Sequence, residues 1–311
     1  MKRRAQAAVL GDGRLHLNDG PIDLIIFVDD SERFKEVAFN AAAARFATIL
    51  DELCEELPYL RSPSGDGRPL PRGVVARRME AATRPLGAAR FITPMAAVAG
   101  AVADEILAAM LSAAPLRRAY VNNGGDIALH VSDDAVLKVG LVSDPDAPCI
   151  FGVAALDASC GVGGVATSGW RGRSFSLGIA DAVTALAANA ACADAAATLV
   201  ANAVDLPGHA SIVRTPANHI DPQTDLEGRL VTRDVGDLSA SDIVRALDRG
   251  EEEARRLIRA GSMRAASLRL GATTRVVGTL MRSEAPFLDS QQPMNGKREE
   301  GAQWRLTSAS S

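Results

Sequence analysis

The opening of the chain carries the hydrophobic pattern of β-strands. Apolar residues 7–10 and the alternating Leu15 and Leu17 stand on either side of a turn at Gly13, which is typical of a β-hairpin. Residues 22–28 then form a continuous apolar run of strand length. The pattern therefore predicts three strands before the first helix.

A long amphipathic helix is predicted after these strands. Ser31 is a suitable N-cap residue, and Pro58 ends the helical pattern because proline has no backbone N–H to donate. Beyond it, residues 61–73 are rich in proline, glycine and serine, which predicts a loop long enough to join two lobes or to cover a site. The apolar face of the helix repeats at spacings of three and four residues: Phe39, Ala42, Phe46, Ile49, Leu50, Leu53 and Leu57.

The rest of the chain alternates between helix and strand patterns. Residues 95–110, after Pro94, are rich in alanine and valine on nearly every face and predict a buried helix. Residues 161–169 (GVGGVATSG) predict a glycine-rich loop. The other predicted elements are strands at 118–122, 127–131, 137–142, 150–156 and 211–214, extended segments at 174–177 and 182–186, helices at 190–204 and 239–259, and a hairpin at 263–277.

These elements predict one domain over residues 1–280, followed by a tail. Residues 281–311 are polar and lack periodicity, so we expect the tail to be disordered. The chain has 311 residues, 47% hydrophobic and 23% charged, which is typical of a soluble globular protein with a large core.

Charge and hydropathy exclude several classes of function. The 34 Lys and Arg against 38 Asp and Glu give a net charge of −4, which offers no basic surface for nucleic acid or anionic lipid. The charge-free residues 92–103 end at Asp104, short of the roughly 20 apolar residues that span a bilayer. The four cysteines contain no C-x-x-C pair, which favours buried thiols in a reducing cytoplasm. We therefore expect a cytoplasmic protein without nucleic-acid or membrane partners.

The first candidate for chemistry is the turn Gly124–Gly125–Asp126 between two predicted strands. Paired glycines let backbone amides approach a ligand, and the Asp126 carboxylate can accept from a hydroxyl or a ring N–H. Asn-Gly and Gly-Asp are also ordinary turn dipeptides. On this motif alone, a plain hairpin turn and a ligand-binding turn both remain open.

The second candidate is Ala166-Thr167-Ser168-Gly169 at the end of the glycine-rich segment. Its hydroxyls and amides could hold phosphate oxygens. No Gly-Lys-Ser/Thr follows, so the segment is not a P-loop, and Ser168 is not in a G-x-S-x-G elbow. A tight glycine turn and a ligand loop both fit this segment.

The third candidate is the pair Asp194 and Thr198, which lie four residues apart on one face of a predicted helix. Two hard oxygen ligands suit Mg²⁺ when a phosphate completes the coordination shell. A purely structural explanation also stays open. The helix dipole favours an acidic residue near the N-terminus, and a threonine can hydrogen-bond back to the preceding turn.

These motifs occur in an order that resembles the ApbE superfamily, named for flavin transferases that move FMN from FAD onto a protein threonine with Mg²⁺. The similarity is greater to the uncharacterised branch of that superfamily, and it extends over residues 5–277. The matching segments are residues 93–100 (TPMAAVAG), 122–131 (NNGGDIALHV), 166–187 (ATSGWRGRSFSLGIADAVTALA) and 193–205 (ADAAATLVANAVD).

The resemblance implies an α+β fold with two lobes, mixed sheets and packed helices around a central cleft. It implies that FAD or FMN and Mg²⁺ are the cofactors, and that a small nucleotide is the ligand. The implied roles are flavin-cleft lining by Gly124, Gly125 and Asp126, phosphate contact by Ala166, Thr167, Ser168 and Gly169, and Mg²⁺ ligation by Asp194 and Thr198.

The sequence departs from the transferases at two places. Their histidine and Asp-Pro-x-Thr-Gly segment is missing between Gly169 and Val183, and residues 219–224 (HIDPQT) imitate it only after the Asp194 helix. The helix at residues 98–104 keeps Gly100 and Asp104 but lacks the transferases' lysine and tyrosine. Three interpretations therefore stay open: a metal-dependent flavin or phosphoester transferase or hydrolase, a non-catalytic flavin or nucleotide-binding protein, and a structural homo-oligomer.

Overall fold

The computed structural model describes residues 4–142 and 150–278, and it confirms the predicted α+β class. Its centre is a nine-stranded sheet in which every described pairing is antiparallel. Two smaller two-stranded sheets accompany it. The tail predicted to be disordered, residues 281–311, lies outside the described residues.

Most neighbouring strands of the large sheet are also consecutive in the chain. The large sheet has the order β1-β2-β3-β4-β5-β8-β9-β12-β13, and β6–β7 and β10–β11 form the two small sheets. The strands are β1 Gln6–Val9, β2 Leu15–Asp19, β3 Ile22–Asp29, β4 Arg118–Asn123, β5 Asp126–Val131, β6 Leu137–Val142, β7 Ile150–Leu156, β8 Gly164–Ser168, β9 Ala182–Ala187, β10 Ile212–Pro216, β11 Leu230–Val235, β12 Ala265–Leu270 and β13 Thr273–Val277.

The helices pack on one face of this sheet and form the main hydrophobic core with it. They are α1 Glu32–Glu55, α2 Leu57–Leu60, α3 Val74–Gly87, α4 Val98–Ala113, α5 Ala190–Ala203 and α6 Ala240–Arg259, with a short 3-10 helix Pro94–Ala97 leading into α4. The opposite face carries a smaller cluster around Leu129, Val165 and Leu186. Because side chains alternate along a strand, residues of β5 and β8 divide between these two faces.

Helix α1 forms for the reasons that the sequence pattern gives. The Ser31 hydroxyl accepts from the amide of Phe34 as the N-cap, and the helix ends at Glu55, before Pro58. The predicted apolar face is buried at Phe39, Phe46 and other positions of the same spacing. The prediction is therefore confirmed as far as Leu53, whereas Leu57 belongs to α2 and Pro58 lies in the first turn of α2 instead of ending the helical pattern.

Several predicted assignments differ from the structure. Helix α3 and strand β11 were not predicted, although Val75, Met79 and Leu86 of α3 are buried at helical spacing. Within the glycine-rich residues 161–169, Gly164–Ser168 form strand β8 rather than a loop, because they pair with β5 and β9. Residues 174–177 form bends instead of an extended segment.

Hydrogen bonds hold the loop at residues 61–73 against the helix before it, α2, and the helix after it, α3. The Arg68 guanidinium donates to the carbonyls of Ser62, Pro63 and Tyr59 and stacks on the Tyr59 ring at 4.0 Å. Arg84 of α3 donates to the Arg68 carbonyl at 3.0 Å. These contacts tie the loop to α2 and α3.

One segment of the described chain is long and apolar enough to cross a membrane by length and composition. It is Pro94–Ala113, the 3-10 helix together with α4, with a mean hydropathy of 1.6. A buried core helix passes the same test, and α4 packs against α1, α3, α5 and the sheet. The expectation that no helix spans a membrane stays a prediction.

Candidate functional site

Two helix N-termini meet beside the sheet and cap each other. The Asp104 carboxylate of α4 accepts from the amides of Ala190 and Ala191 at 3.0 and 2.9 Å, in the first turn of α5. The Asp194 carboxylate of α5 accepts from the Gly100 amide of α4 at 3.1 Å. Each carboxylate satisfies amides that the helix itself leaves without partners, and it lies at the positive end of the other helix's dipole.

This arrangement depends on the absence of a side chain at Gly100. A Cβ built on Gly100 would lie 2.3 Å from the carbonyl oxygen of Ala190 and 2.4 Å from its carbon. The backbones of α4 and α5 are therefore in direct contact at this point. Alanine at many positions of α5 permits the same close packing elsewhere along the helix pair.

Asp126 brings a third carboxylate to the same place from the sheet. Two residues after it, Ala128 belongs to the main core, whereas Ile127 packs in the opposite cluster. Asp126 therefore lies on the helix-bearing face of β5. Its Oδ1 accepts from the Thr167 amide at 3.3 Å.

The turn before Asp126 requires glycine. Gly124 and Gly125 have φ values of 64° and 116°, in the left-handed region that other residues rarely adopt. The Gly125 amide donates to the Asn122 side chain at 2.8 Å, and Asn123 Nδ2 donates to the Ala99 carbonyl at 3.1 Å. The turn is thus a hairpin turn, and it is also fastened to the start of α4.

The carboxyls of Asp126 and Asp194 affect each other's ionisation. Burial raises the pKa of Asp126 to about 7, against partial lowering by the Thr167 amide and the charge of Arg173. Burial, followed by the nearby Asp126 carboxylate, raises the pKa of Asp194 well above its usual value. Neither carboxylate forms an ion pair with a residue that the structure describes. Two partly buried carboxylates without a paired cation favour a bound cation or protonation of one of them.

The segment Ala166–Gly169 is divided between the two faces of the sheet. Gly164 lies against the first turn of α5, so Ala166 and Ser168 share the face that carries Asp126. The Thr167 side chain lies on the other face, where its hydroxyl bonds with the Thr184 hydroxyl at 2.9 Å. Thr167 contributes only its backbone amide to the Asp126 carboxylate.

Thr198 lies one turn after Asp194 on α5 and is partly accessible to solvent. It therefore shares the Asp194 side of the helix, as the four-residue spacing predicts. Asp194 lies beyond the first turn of its own helix, and it caps α4 instead. The described residues contain no group of three or more His, Cys, Asp or Glu side chains at metal-binding distance.

Sequence reasoning missed the arginines between β8 and β9. Arg171 donates to Asp181 at 2.8 Å and stacks on the Trp170 ring at 4.5 Å. The Arg173 guanidinium covers the Gly124 turn, with Nη2 1.8 Å from where a Cβ on Gly124 would lie. The sequence did contain a signal for them, because two arginines in residues 170–174 follow directly after the hydroxyl-bearing residues Thr167 and Ser168.

Residues 219–224, which imitate a transferase motif by letter, lie in the connection between β10 and β11. Their neighbour Asp225 accepts a hydrogen bond from the buried Thr93 hydroxyl, just before the 3-10 helix that leads into α4. His219 itself is exposed to solvent. Asp225, directly after this segment, thus contacts the chain that leads into α4.

The raised pKa of Asp126 predicts that the metal-free protein loses stability as the pH rises. Below about pH 4 the Asp126 carboxyl is protonated in the folded and in the unfolded protein. Between about pH 4 and pH 7 it is ionised only in the unfolded chain, so the free energy of unfolding falls as the pH rises through this range. The positive charge of Arg173 opposes this rise in the pKa of Asp126. Thermal unfolding in EDTA at pH 5.5, 6.5 and 7.5 should therefore give a falling Tm.

The matched variant for this measurement is Asp126→Asn, which cannot ionise and still offers an oxygen to the Thr167 amide. Its Tm should fall less between pH 5.5 and 7.5 than that of the wild type. If the Tm of both proteins fell equally with pH, the pKa of Asp126 would not be raised in the folded protein.

A family model described as "AbpE bacteria" matches residues 7–278. The chain therefore belongs to this family, and the expected relationship to the ApbE superfamily is confirmed. A UPF0280 protein of Archaeoglobus fulgidus is 31% identical over 214 residues, which cover 68% of this chain and 84% of that protein. A UPF0280 protein of Methanococcoides burtonii is 30% identical over 193 residues, 61% of this chain and 76% of that protein.

Other similarities are shorter or weaker. A UPF0280 protein of Methanopyrus kandleri is 41% identical over 128 residues, which cover 41% of this chain and 48% of its own length. Among solved structures, the apo form of Pseudomonas stutzeri flavinyl transferase ApbE matches with 13% identity and a TM-score of 0.40, over 88% of this chain and 93% of that one. This last similarity is too weak to support an argument about fold or function.

Proposed function

We propose that this protein binds a flavin nucleotide, FAD or FMN, together with Mg²⁺ at the site formed by Asp126, Asp194 and Thr198. The observation that carries the proposal is the pair of partly buried carboxylates, Asp126 and Asp194, which meet beside two helix N-termini. The match to the "AbpE bacteria" family model suggests the flavin as the ligand.

The donor set fits Mg²⁺. The Asp194 carboxylate accepts from the Gly100 amide through Oδ2, and the Thr198 hydroxyl lies one turn later on α5. Mg²⁺ is usually held by one or two carboxylates and completed by water and substrate phosphates. The chemistry that a bound Mg²⁺ supplies there is neutralisation of charge on phosphate oxygens.

The protein's own residues supply rigidity and orientation. The Gly100 amide fixes one Asp194 oxygen, and the Thr167 amide fixes one Asp126 oxygen. We propose that the Gly124–Gly125 turn lets a flavin nucleotide approach the backbone, and that Ala166, Ser168 and Gly169 contact it from β8. Thr167 would act through its amide and not through its hydroxyl.

A non-catalytic binding protein is the second candidate. The connection between β8 and β9, residues 169–181, contains no histidine, and its charged side chains are Arg171, Arg173 and Asp181. Asp181 accepts from Trp170, Arg171 and the Gly271 amide, so it is committed to holding the connection in place. This connection therefore offers no free general base for FAD cleavage.

The cytoplasm is the proposed location. Cys54 is exposed and Cys160 and Cys192 are partly buried, so the expectation of buried thiols is wrong for these three, which are free thiols in the structure. Free thiols persist in reducing compartments, which supports this proposal.

Thermal unfolding with FAD, FMN or ADP, each with and without MgCl₂, tests the proposal. A ligand that binds only the folded state stabilises it by about 2.7 kcal/mol at a hundred times its Kd. We expect a higher Tm with flavin and Mg²⁺ together than with either alone. Product analysis for FMN and AMP then separates a transferase or hydrolase from a binding protein. An unchanged Tm with every nucleotide would exclude both candidates.

A further inference from the structure

We propose that Arg173 binds the phosphate group of the nucleotide at this site. The identity of the nucleotide rests on the function proposed above, whereas the role of Arg173 rests on the geometry around Gly124 and on the charges near Asp126. The four residues at the tip of the β8–β9 connection, residues 171–174, are all exposed, and the two arginines among them have different surroundings.

The connection that carries Arg173 is anchored at both ends. The Trp170 amide donates to the Ala180 carbonyl at 3.0 Å, and the Asp181 amide donates to the Arg269 carbonyl at 3.0 Å. Nearer the tip, the Leu177 amide donates to the Asn202 side chain at 2.9 Å. The tip is therefore an exposed turn on a fixed base, and this limits where the Arg173 side chain can reach.

The Arg173 side chain returns over the hairpin turn that precedes Asp126. Its Nη2 lies 1.8 Å, and its Cζ 3.1 Å, from the position that a Cβ on Gly124 would take. Any side chain at Gly124 would displace the guanidinium. Glycine at this position therefore allows both the left-handed turn and the approach of Arg173.

Arg173 differs from its neighbour Arg171 in its partners. Arg171 is paired with Asp181 and stacked on Trp170. Arg173 has no ion pair within 4.0 Å among the residues that the structure describes, although its charge lowers the pKa of Asp126. Its donors therefore remain available to an anion.

A phosphate group beside Asp126 and Asp194 needs positive charge near it, because two carboxylates repel it. A guanidinium offers paired N–H donors that match phosphate oxygens, and it stays charged at any physiological pH. Arg173 supplies this charge from its position over the Gly124 turn, where it acts on Asp126. The ligand class that follows is a phosphate ester or pyrophosphate, in preference to the same molecule without phosphate.

Isothermal titration with MgCl₂ present tests this role with three probes: FMN, riboflavin and pyrophosphate. We expect Arg173→Gln to weaken FMN and pyrophosphate binding about tenfold, the loss of one charged hydrogen bond. Riboflavin binding should stay within about twofold of the wild type. Arg173→Lys should recover part of the loss, and the matched control Arg171→Gln should bind all three probes as the wild type does.

The outcomes separate this proposal from the function above. Equal binding of FMN and pyrophosphate by Arg173→Gln and the wild type would overturn it, as would an equal loss of riboflavin or an equal loss in Arg171→Gln. A wild type that binds pyrophosphate but no flavin would refute the flavin proposal alone, and the pyrophosphate comparison would then decide the role of Arg173. A wild type that binds neither phosphate compound would refute both.

Discussion

Replacing Asp194 by asparagine is expected to abolish Mg²⁺-dependent ligand binding and to leave the metal-free protein at least as stable as the wild type. The amide oxygen of asparagine can still accept from Gly100, so the cap of α4 is kept. The variant also removes a buried charge that lies next to Asp126. Loss of a ligating carboxylate should weaken Mg²⁺ binding by about a hundredfold or more. Mutating a residue that only hydrogen-bonds to a metal ligand already lowers metal affinity by about 10- to 100-fold.

Two further variants make this prediction specific. Asp194→Ala removes the cap as well as the charge, so it should lose metal binding and also about 1 kcal/mol of stability. Asp134→Asn makes the same charge change at an exposed residue that pairs with Arg117, and it should leave Mg²⁺ binding unchanged. Titration calorimetry and thermal unfolding at pH 8 measure both quantities. Wild-type Mg²⁺ affinity in Asp194→Asn would remove Asp194 from the site.

Replacing Gly100 by alanine is expected to destabilise the protein by about 3 kcal/mol or more, although alanine favours helices over glycine. The added methyl group would lie 2.3 Å from the Ala190 carbonyl oxygen, and backbone atoms cannot move aside as a flexible side chain can. The helices α4 and α5 must separate, which also weakens the bond from the Gly100 amide to Asp194. Chemical denaturation and Mg²⁺ titration should therefore both report the change.

The control for Gly100 is Gly11, where an added Cβ meets nothing within 4 Å and the backbone is not left-handed. Gly11→Ala should change the free energy of unfolding by no more than about 0.5 kcal/mol. A Gly100→Ala protein as stable as the wild type would mean that the two helix N-termini are not in contact.

Hydrophobic periodicity predicted the elements that have strong local signals. Helices α1, α5 and α6 and the hairpin around Gly271 have clear caps, faces or turns, and all four are confirmed. Strand β8 was not predicted because its partners β5 and β9 are distant in sequence, and glycine is rare in strand interiors. Gly164 is glycine because a Cβ there would meet the first turn of α5 at 2.2 Å.

The candidate site was predictable in its residue types and not in its arrangement. The sequence proposed Asp126 from its glycine turn and Asp194 from its helix spacing, and in the structure the Asp126 carboxylate is near enough to raise the pKa of Asp194. Sequence spacing could not reveal that Asp104 and Asp194 cap each other's helices, because these contacts join residues 86 to 94 positions apart. It also could not place Arg173 over Gly124, since that approach depends on the path of the whole β8–β9 connection.

Crystals soaked with MnCl₂ and FMN provide the most direct test, because Mn²⁺ replaces Mg²⁺ in oxygen sites and gives anomalous scattering. We expect one strong anomalous peak about 2.1 Å from oxygens of Asp194 and Thr198, on the Asp126 side of α5, with the FMN phosphate beside it. A peak elsewhere, or an ordered FMN with no metal between Asp126 and Asp194, would contradict the account.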